Sequence, residues 1–545
     1  MLRTPTLLPA LVLGCCLSLP QMARADSAGR GFTDAADFGF SPNATGVQNA
    51  RALQRAADRA GTIVVNRPGT YKLAGTVYLG SQTALLFGAN VFVKKVAEQG
   101  AFTHVLLNKG ALTKTWDEQI TVSGLQLIVN GVDVRNWKVF GLHGQIAFFY
   151  VKDLRIERFR CLDGGRLQYA IHVCTFEDIT IEDVLIRGDK DGVHLGRGRR
   201  FTIRDGTFET GDDAIALNAH DYSVGNPELG WIEDGVVENV HDLANPKRQV
   251  GYFCRILAGA WVDWRAGMEV QQSDTVVSEG RLYRVQANPD GTVYKSVTRP
   301  THKTGAMVLD GINWGVVQDD VTYTAGVRNV VFRDIFLEKP RVAFSIHFDN
   351  DRYSRSYYPG AAVPQQENLS FENVRVLYDS PADFFQIRTP VNVLSVANSS
   401  LRNNRVSFLS NKAMTDYGRT HVSFTGCIFG HSGKLPLVVN GVPGKVIALK
   451  TASSVELSTD FSASVIPGTG TITVESDLTG LRKDEAQSGI WLVASYDVAL
   501  HMGSGLGRRR FAHFADLTPT ARAPYGTLVP RGLVPTSHCA RRQPC

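Results

Sequence analysis

Long apolar runs are almost missing from this chain. After the first 25 residues no stretch approaches the roughly 18 apolar residues that a spanning helix needs, so the sequence predicts no membrane partner. Cysteine is sparse, at 8 of 545 residues. Cys15 and Cys16 lie in the leader, Cys539 and Cys545 in the tail, and Cys161, Cys174, Cys254 and Cys427 are scattered between. No spacing suits a zinc site or a dense disulfide scaffold, and buried thiols are the simple reading. Cys161 and Cys174 are the closest internal pair. Helical periodicity is also scarce. It is confined to residues 47–60, where Val47, Ala50, Leu53, Ala57 and Ala60 recur at spacings of three and four.

A real excess of positive charge is missing too. The formal charge of +6 would suggest a polyanionic partner. It resides in Arg3 and Arg24 of the leader and in seven arginines, against Asp516 alone, after Gly503. The rest of the chain carries a net charge of −2, which excludes a composition argument for nucleic acid.

What is present falls into segments. Arg3, the apolar stretch 7–20 and Ala23-Arg24-Ala25 read as a secretory signal over 1–25, and predict a secreted, extracellular or periplasmic protein. Residues 503–545 read as a disordered basic tail and 433–502 as a closing β-rich module. Residues 258–325 alternate polar and apolar, with a hairpin signal at Asn288-Pro289-Asp290-Gly291, and read as an inserted antiparallel module. Its Trp261, Trp264, Tyr283, Tyr294 and Trp314 are candidates for the module's own core or for a sugar-stacking surface.

The body repeats. Tyr169–Val173, Asp191–Leu195 and Asp213–Leu217 follow one another at a step of 22 residues, and Ile179-x-Ile181 and Phe201-x-Ile203 share that step. A β-rich period of this length without a helical stripe means a parallel β-helix, with coils over 26–257 and 326–432 stacked about 4.8 Å apart. The helix at 47–60 caps its open end. Some such solenoids trimerise, so a homo-oligomer is one open possibility.

The 22-residue step sets Asp191 above Asp213, with Asp212 adjoining. Three carboxylates are expected to crowd one patch of a solvent-facing groove. Repulsion then raises at least one pKa, as a general acid requires, while a neighbour stays ionised as base. Turn capping and calcium binding are the other uses of such a cluster. Glycosidic hydrolysis needs two carboxyls, and adjacent coils are expected to allow the roughly 6.5–9.5 Å of an inverting enzyme.

KDGVHL (190–195) followed by GDDAIALN (211–218) resembles glycoside hydrolase family 28, the polygalacturonase-type right-handed parallel β-helix enzymes. The resemblance implies hydrolysis of a polysaccharide without a cofactor or metal. It implies Asp212 as general acid, Asp191 and Asp213 as the pair that positions and deprotonates water, and Arg255 as a substrate contact. The chain departs from the family pattern at Lys190, Ala214 and Leu257, where the family has Thr, Cys and Lys, and Gly-His-Gly is missing. His220 and His241 are the histidines nearest to it. Leu257 in place of Lys favours a neutral or differently charged glycan over galacturonate. Lys190, His172, His194, His347 and Asp349 are further candidates for substrate binding. A polysaccharide lyase on the same fold, and a non-catalytic tailspike- or adhesin-like glycan-binding protein, are the two alternatives.

Overall fold

A computed structural model describes residues 31–400, apart from 223, 246–249, 288–289, 349–354, 363 and 379–381. Beyond 400 it describes only the backbone of short strands. The leader, Asp349, Cys427, the closing module and the tail therefore lie outside the residues whose side chains are described.

The chain forms a right-handed parallel β-helix. The strands that frame the site are β1 (Ile146–Glu157), β2 (Ile171–Gly188), β3 (Val193–Leu195), β4 (Gly198–Thr210), β5 (Ile215–Asn218), β6 (Ile232–Asp242), β7 (Cys254–Leu257), β8 (Val327–Leu337) and β9 (Phe344–His347). All their mutual pairings are parallel. One ladder runs Ile146, Ile171, Val193, Ile215, Cys254, Phe344. A second runs Leu154, Ile179, Phe201, Gly235, Val330. The 22-residue step is thus one full coil. Inward side chains stack on their own kind, as Phe332 does on Phe371 with ring centroids 5.0 Å apart.

The bends between sheets have a recurring cause. Residues 153, 178, 200, 234, 329 and 368 form one column, all left-handed with φ of 47–57°. Residues 158, 183, 205, 239, 334 and 373 form another, with φ of 50–55°. Apart from Arg158 and Arg200, every member is Asp or Asn, the residues that tolerate this conformation. Their side chains bond down the column, for example Asn239 Nδ2 to Asp205 Oδ1 at 2.6 Å.

The cap helix spans Gly46–Ala57, shorter than expected, because Thr45 and Gln48 close a capping box and Ala60 turns left-handed. Its buried face is Asn49, Ala52, Leu53, Ala56 and Ala57, rotated from the expected stripe. Asn49 explains the rotation, since its side chain bonds Ser41 and Lys72 carbonyls. Between β7 and β8 the chain leaves the solenoid and returns at an antiparallel contact of Gly259–Ala260 with Thr324–Ala325. The excursion forms a five-stranded sheet over Val262–Gln318. Trp264, Tyr283 and Trp314 make its core and Trp261 joins the solenoid core, so these four aromatics are buried and not a sugar platform. Cys161, Cys174 and Cys254 are free, buried thiols.

Candidate active site

Asp191 and Asp213 sit two residues before β3 and β5, at the entry to paired rungs. The glycines beside them let the backbones close up. Gly251 has φ of +74°, and a Cβ there would lie 2.7 Å from the Asp212 carbonyl carbon. Arg341, 129 residues downstream, donates to the Asp212 carbonyl oxygen at 2.6 Å and grips Asp242 with two further bonds.

One carboxylate oxygen from each of Asp191, Asp212 and Asp213 lies within 4.8 Å of the others. That is tighter than the roughly 6.5–9.5 Å expected of an inverting pair, because the rungs are strictly in register and Lys190 draws the groups together. Its Nζ lies 3.1 Å from Asp191 Oδ1 and also pairs with Asp212 Oδ2. The expected solvent-facing groove is narrower than a row of exposed carboxylates. Asp191 and Asp213 are buried, and only the Asp212 side chain, 22% exposed, meets solvent with Lys190.

The three carboxyls are not equivalent. Burial raises Asp213 well above the usual carboxylate range, and the charges of Asp212 and Asp191 push the same way. The backbone N–H of Tyr252 donates to its Oδ1 at 2.8 Å. Burial also opposes ionisation of Asp191, but the Lys190 charge and the His194 bond win and hold it below its ordinary value. Burial would lower Lys190, yet Asp191 and Asp212 hold it above its ordinary value. One carboxyl whose ionisation is opposed, one whose ionisation is favoured and one that meets solvent therefore share a patch.

The predicted histidines lie elsewhere than on a substrate surface. His194 is fully buried, with Nδ1 3.0 Å from Asp191 Oδ2 and Nε2 3.5 Å from Asp221. It stacks on Tyr169 at 4.2 Å. His172, its ladder neighbour, is also fully buried and bonds Asn226 at 2.9 Å. Asn226 and Asp221, from the segment after β5, meet this rung, so His172 holds Asn226, while His194 meets Asp221 and orients Asp191. His220 faces the inserted module and bonds Thr275 at 3.1 Å. His241 stacks on Phe336, its register partner on β8, away from the carboxylate cluster's rungs. Arg255 lies on the rung between Ala216 and Ser345, 3.8 Å from Asp221, and its charge acts on Asp213. His347 is buried, bonded to Ser345 and edge-on to Tyr252. Sequence reasoning missed Gly251, Tyr252 and Arg341, which the coils bring in from 38 to 129 residues away; it also missed Tyr169, which stacks on His194, and Tyr222, whose hydroxyl lies 3.4 Å from that of Tyr169.

No family model matches the sequence, and no curated protein matches it. Among solved structures the chain is similar to the surface adhesin PfbA of Streptococcus pneumoniae, at 12% identity over 85% of this chain and 99% of that one, with a TM-score of 0.40. A hyperthermoactive exopolygalacturonase of Thermotoga maritima aligns at 10% identity over 79% and 94%, TM-score 0.36. A family 28 exopolygalacturonase of Yersinia enterocolitica aligns at 13% over 75% and 76%, TM-score 0.40. An adhesin and two hydrolases stand side by side at these values, and they decide nothing about this site.

Proposed function

We propose that the protein is a polysaccharide-degrading glycoside hydrolase whose reaction runs on Asp191, Asp212 and Asp213. The observation that supports this is the arrangement of the cluster: three carboxyls within 4.8 Å, with Asp213 buried where ionisation is opposed, Asp191 paired with Lys190 and His194, and Asp212 meeting solvent. Asp212 and Asp213 act as a coupled pair. Asp213 holds the proton, and Asp212 presents it to the glycosidic oxygen. Asp191, held ionised by Lys190 and His194, orients the attacking water and takes its proton as the water oxygen bonds the anomeric carbon and the protonated glycosidic oxygen leaves as the hydroxyl of the released chain.

A covalent intermediate fits less well. Asp191 is tied on both oxygens and Asp213 holds a proton, so neither is a free nucleophile. Direct attack by water, with inversion, remains the course we propose despite the close spacing. A lyase would need an unprotonated base, and Lys190 is held protonated. Export, on the leader read at residues 1–25, is part of the same proposal.

The test is a panel of neutral and acidic glycans assayed for reducing ends, with ultraviolet absorbance followed in parallel. Reducing ends without absorbance are expected. Asp213→Asn and Asp212→Asn should each lower kcat by about 10²–10⁴, the usual worth of a general acid. Full activity in both variants, or absorbing products, would sink the assignment.

A further inference from the structure

A cleft of about 280 Å³ lies at the far end of the same strands. It is separated from the acid cluster by the whole length of β3 and the turn beyond it, since Asp191 precedes β3 and Arg197 follows it. Its geometry follows from register. Asp117, Val151, Phe176, Gly198 and Ile232 pair in succession across five coils. The residues just before them form a column: Trp116, Tyr150, Thr175, Arg197 and Trp231. Four steps of about 4.8 Å put the two tryptophans roughly 19 Å apart along the solenoid axis. Trp116 is 37% exposed and Trp231 is partly exposed.

The floor between them is polar and the walls are fixed. Arg197 bonds Asp320 through both terminal nitrogens, at 3.0 and 2.5 Å. Asp320 belongs to the inserted module, so the module supplies one wall. Lys152 lies 4.7 Å over Trp116, and Arg328 lies 4.8 Å over Trp231. Each cation rests on a ring and holds its plane. Aromatic platforms around a few polar groups are how binding clefts take an amphipathic ligand. A pyranose is such a ligand, with C–H groups for the ring face and hydroxyls for the polar floor. The charged groups at the cleft, Arg197 and Arg199 of the lining and Lys152 and Arg328 on the rings, against Glu177, Glu233 and Asp320, nearly balance, so the cleft carries no strong charge to recruit an ionic chain.

We infer that this cleft is a carbohydrate-binding site, separate from the acid cluster, for a short stretch of neutral glycan lying along the axis between Trp116 and Trp231. The ligand class rests on the glycan reading above; the site rests on the cleft. The full chain carrying Asp213→Asn, which prevents turnover, is run in native gels containing soluble β-glucan, xylan, galactomannan or polygalacturonate. At least one neutral glycan should retard it. Trp116→Ala and Trp231→Ala should each weaken that binding about three- to tenfold or more, as loss of an aromatic contact does. Trp231→Tyr should keep most of it, which separates loss of stacking from loss of fold. The proposal is overturned if no neutral glycan retards the parent, or if the double alanine variant is retarded equally. Reducing-end release by the wild type without any retardation would leave the hydrolase reading standing and remove this one. Retardation that depends on the tryptophans, with no reducing ends from any glycan, would do the reverse.

Discussion

Asp213 shows what a single buried carboxyl costs and does. Its folded pKa is raised by burial and by Asp212 and Asp191, so its contribution to stability is present below the ordinary carboxylate pKa and fades as pH rises through the folded value. Asp191 behaves oppositely, stabilising above the ordinary range and losing that as pH falls through its lowered value. Asp213→Asn keeps the acceptor for Tyr252 N–H and removes the group that resists ionisation. Thermal melts should therefore show it more stable than wild type at pH 8, by a few degrees, with the gain shrinking toward pH 4. An unchanged or lowered Tm at pH 8 would contradict a raised pKa. The same change abolishes the proposed acid, a trade between stability and activity that reactive sites commonly make. At this scale the cluster was legible, because a repeat that steps by 22 residues stacks Asp191 on Asp213. The burial was not, because nothing periodic shows that Asp221 and Asn226 come back to meet His194 and His172. Arg341 was out of reach for a related reason: 129 residues separate it from Asp212, and no motif links them.

Among the elements, the two Asx columns decide how the strands turn. Each coil bends where a left-handed residue lies between two strand segments, and a β-branched residue there would clash with its own backbone. Asn239→Val should cost about 1–3 kcal/mol in urea unfolding, from the left-handed penalty and the lost bond to Asp205. Asn239→Gly should cost clearly less, since glycine accepts the conformation and forfeits only the bond. Equal losses in the two variants would mean the side-chain bond, and not the backbone, holds the bend. These columns were visible in the sequence as a charged residue, then Asp or Asn, then an apolar residue, as in Glu177-Asp178-Ile179, Glu233-Asp234-Gly235 and Glu238-Asn239-Val240. An alignment anchored on apolar positions passes over them. The cap helix teaches the same lesson, since its core face is set by Asn49, a polar residue that an apolar stripe does not count.

Across the whole molecule, the solenoid continues through the inserted module as if it were not there. β6 pairs directly with β8, Ile232 against Val327, although 95 residues separate them where the two preceding steps of this ladder are 22 and 34 and the next is 39. The interruption was legible as a break in the repeat, and the uninterrupted pairing beneath it was not. Its consequence is kinetic. Closing a loop of 95 residues costs about 1.3 kcal/mol more than closing one of 22, before the contacts of β8 repay it. The coils up to β7 can therefore assemble on the cap helix as one cooperative unit, and the coils from β8 onward must wait for the module to collapse. Pulse-labelled hydrogen exchange during refolding should protect amides of β2 and β4 before those of β8; simultaneous protection would mean the stack closes in one step. A chain that folds from one end in this way carries, for part of its life, a finished template whose open edge is the face of β6 and β7.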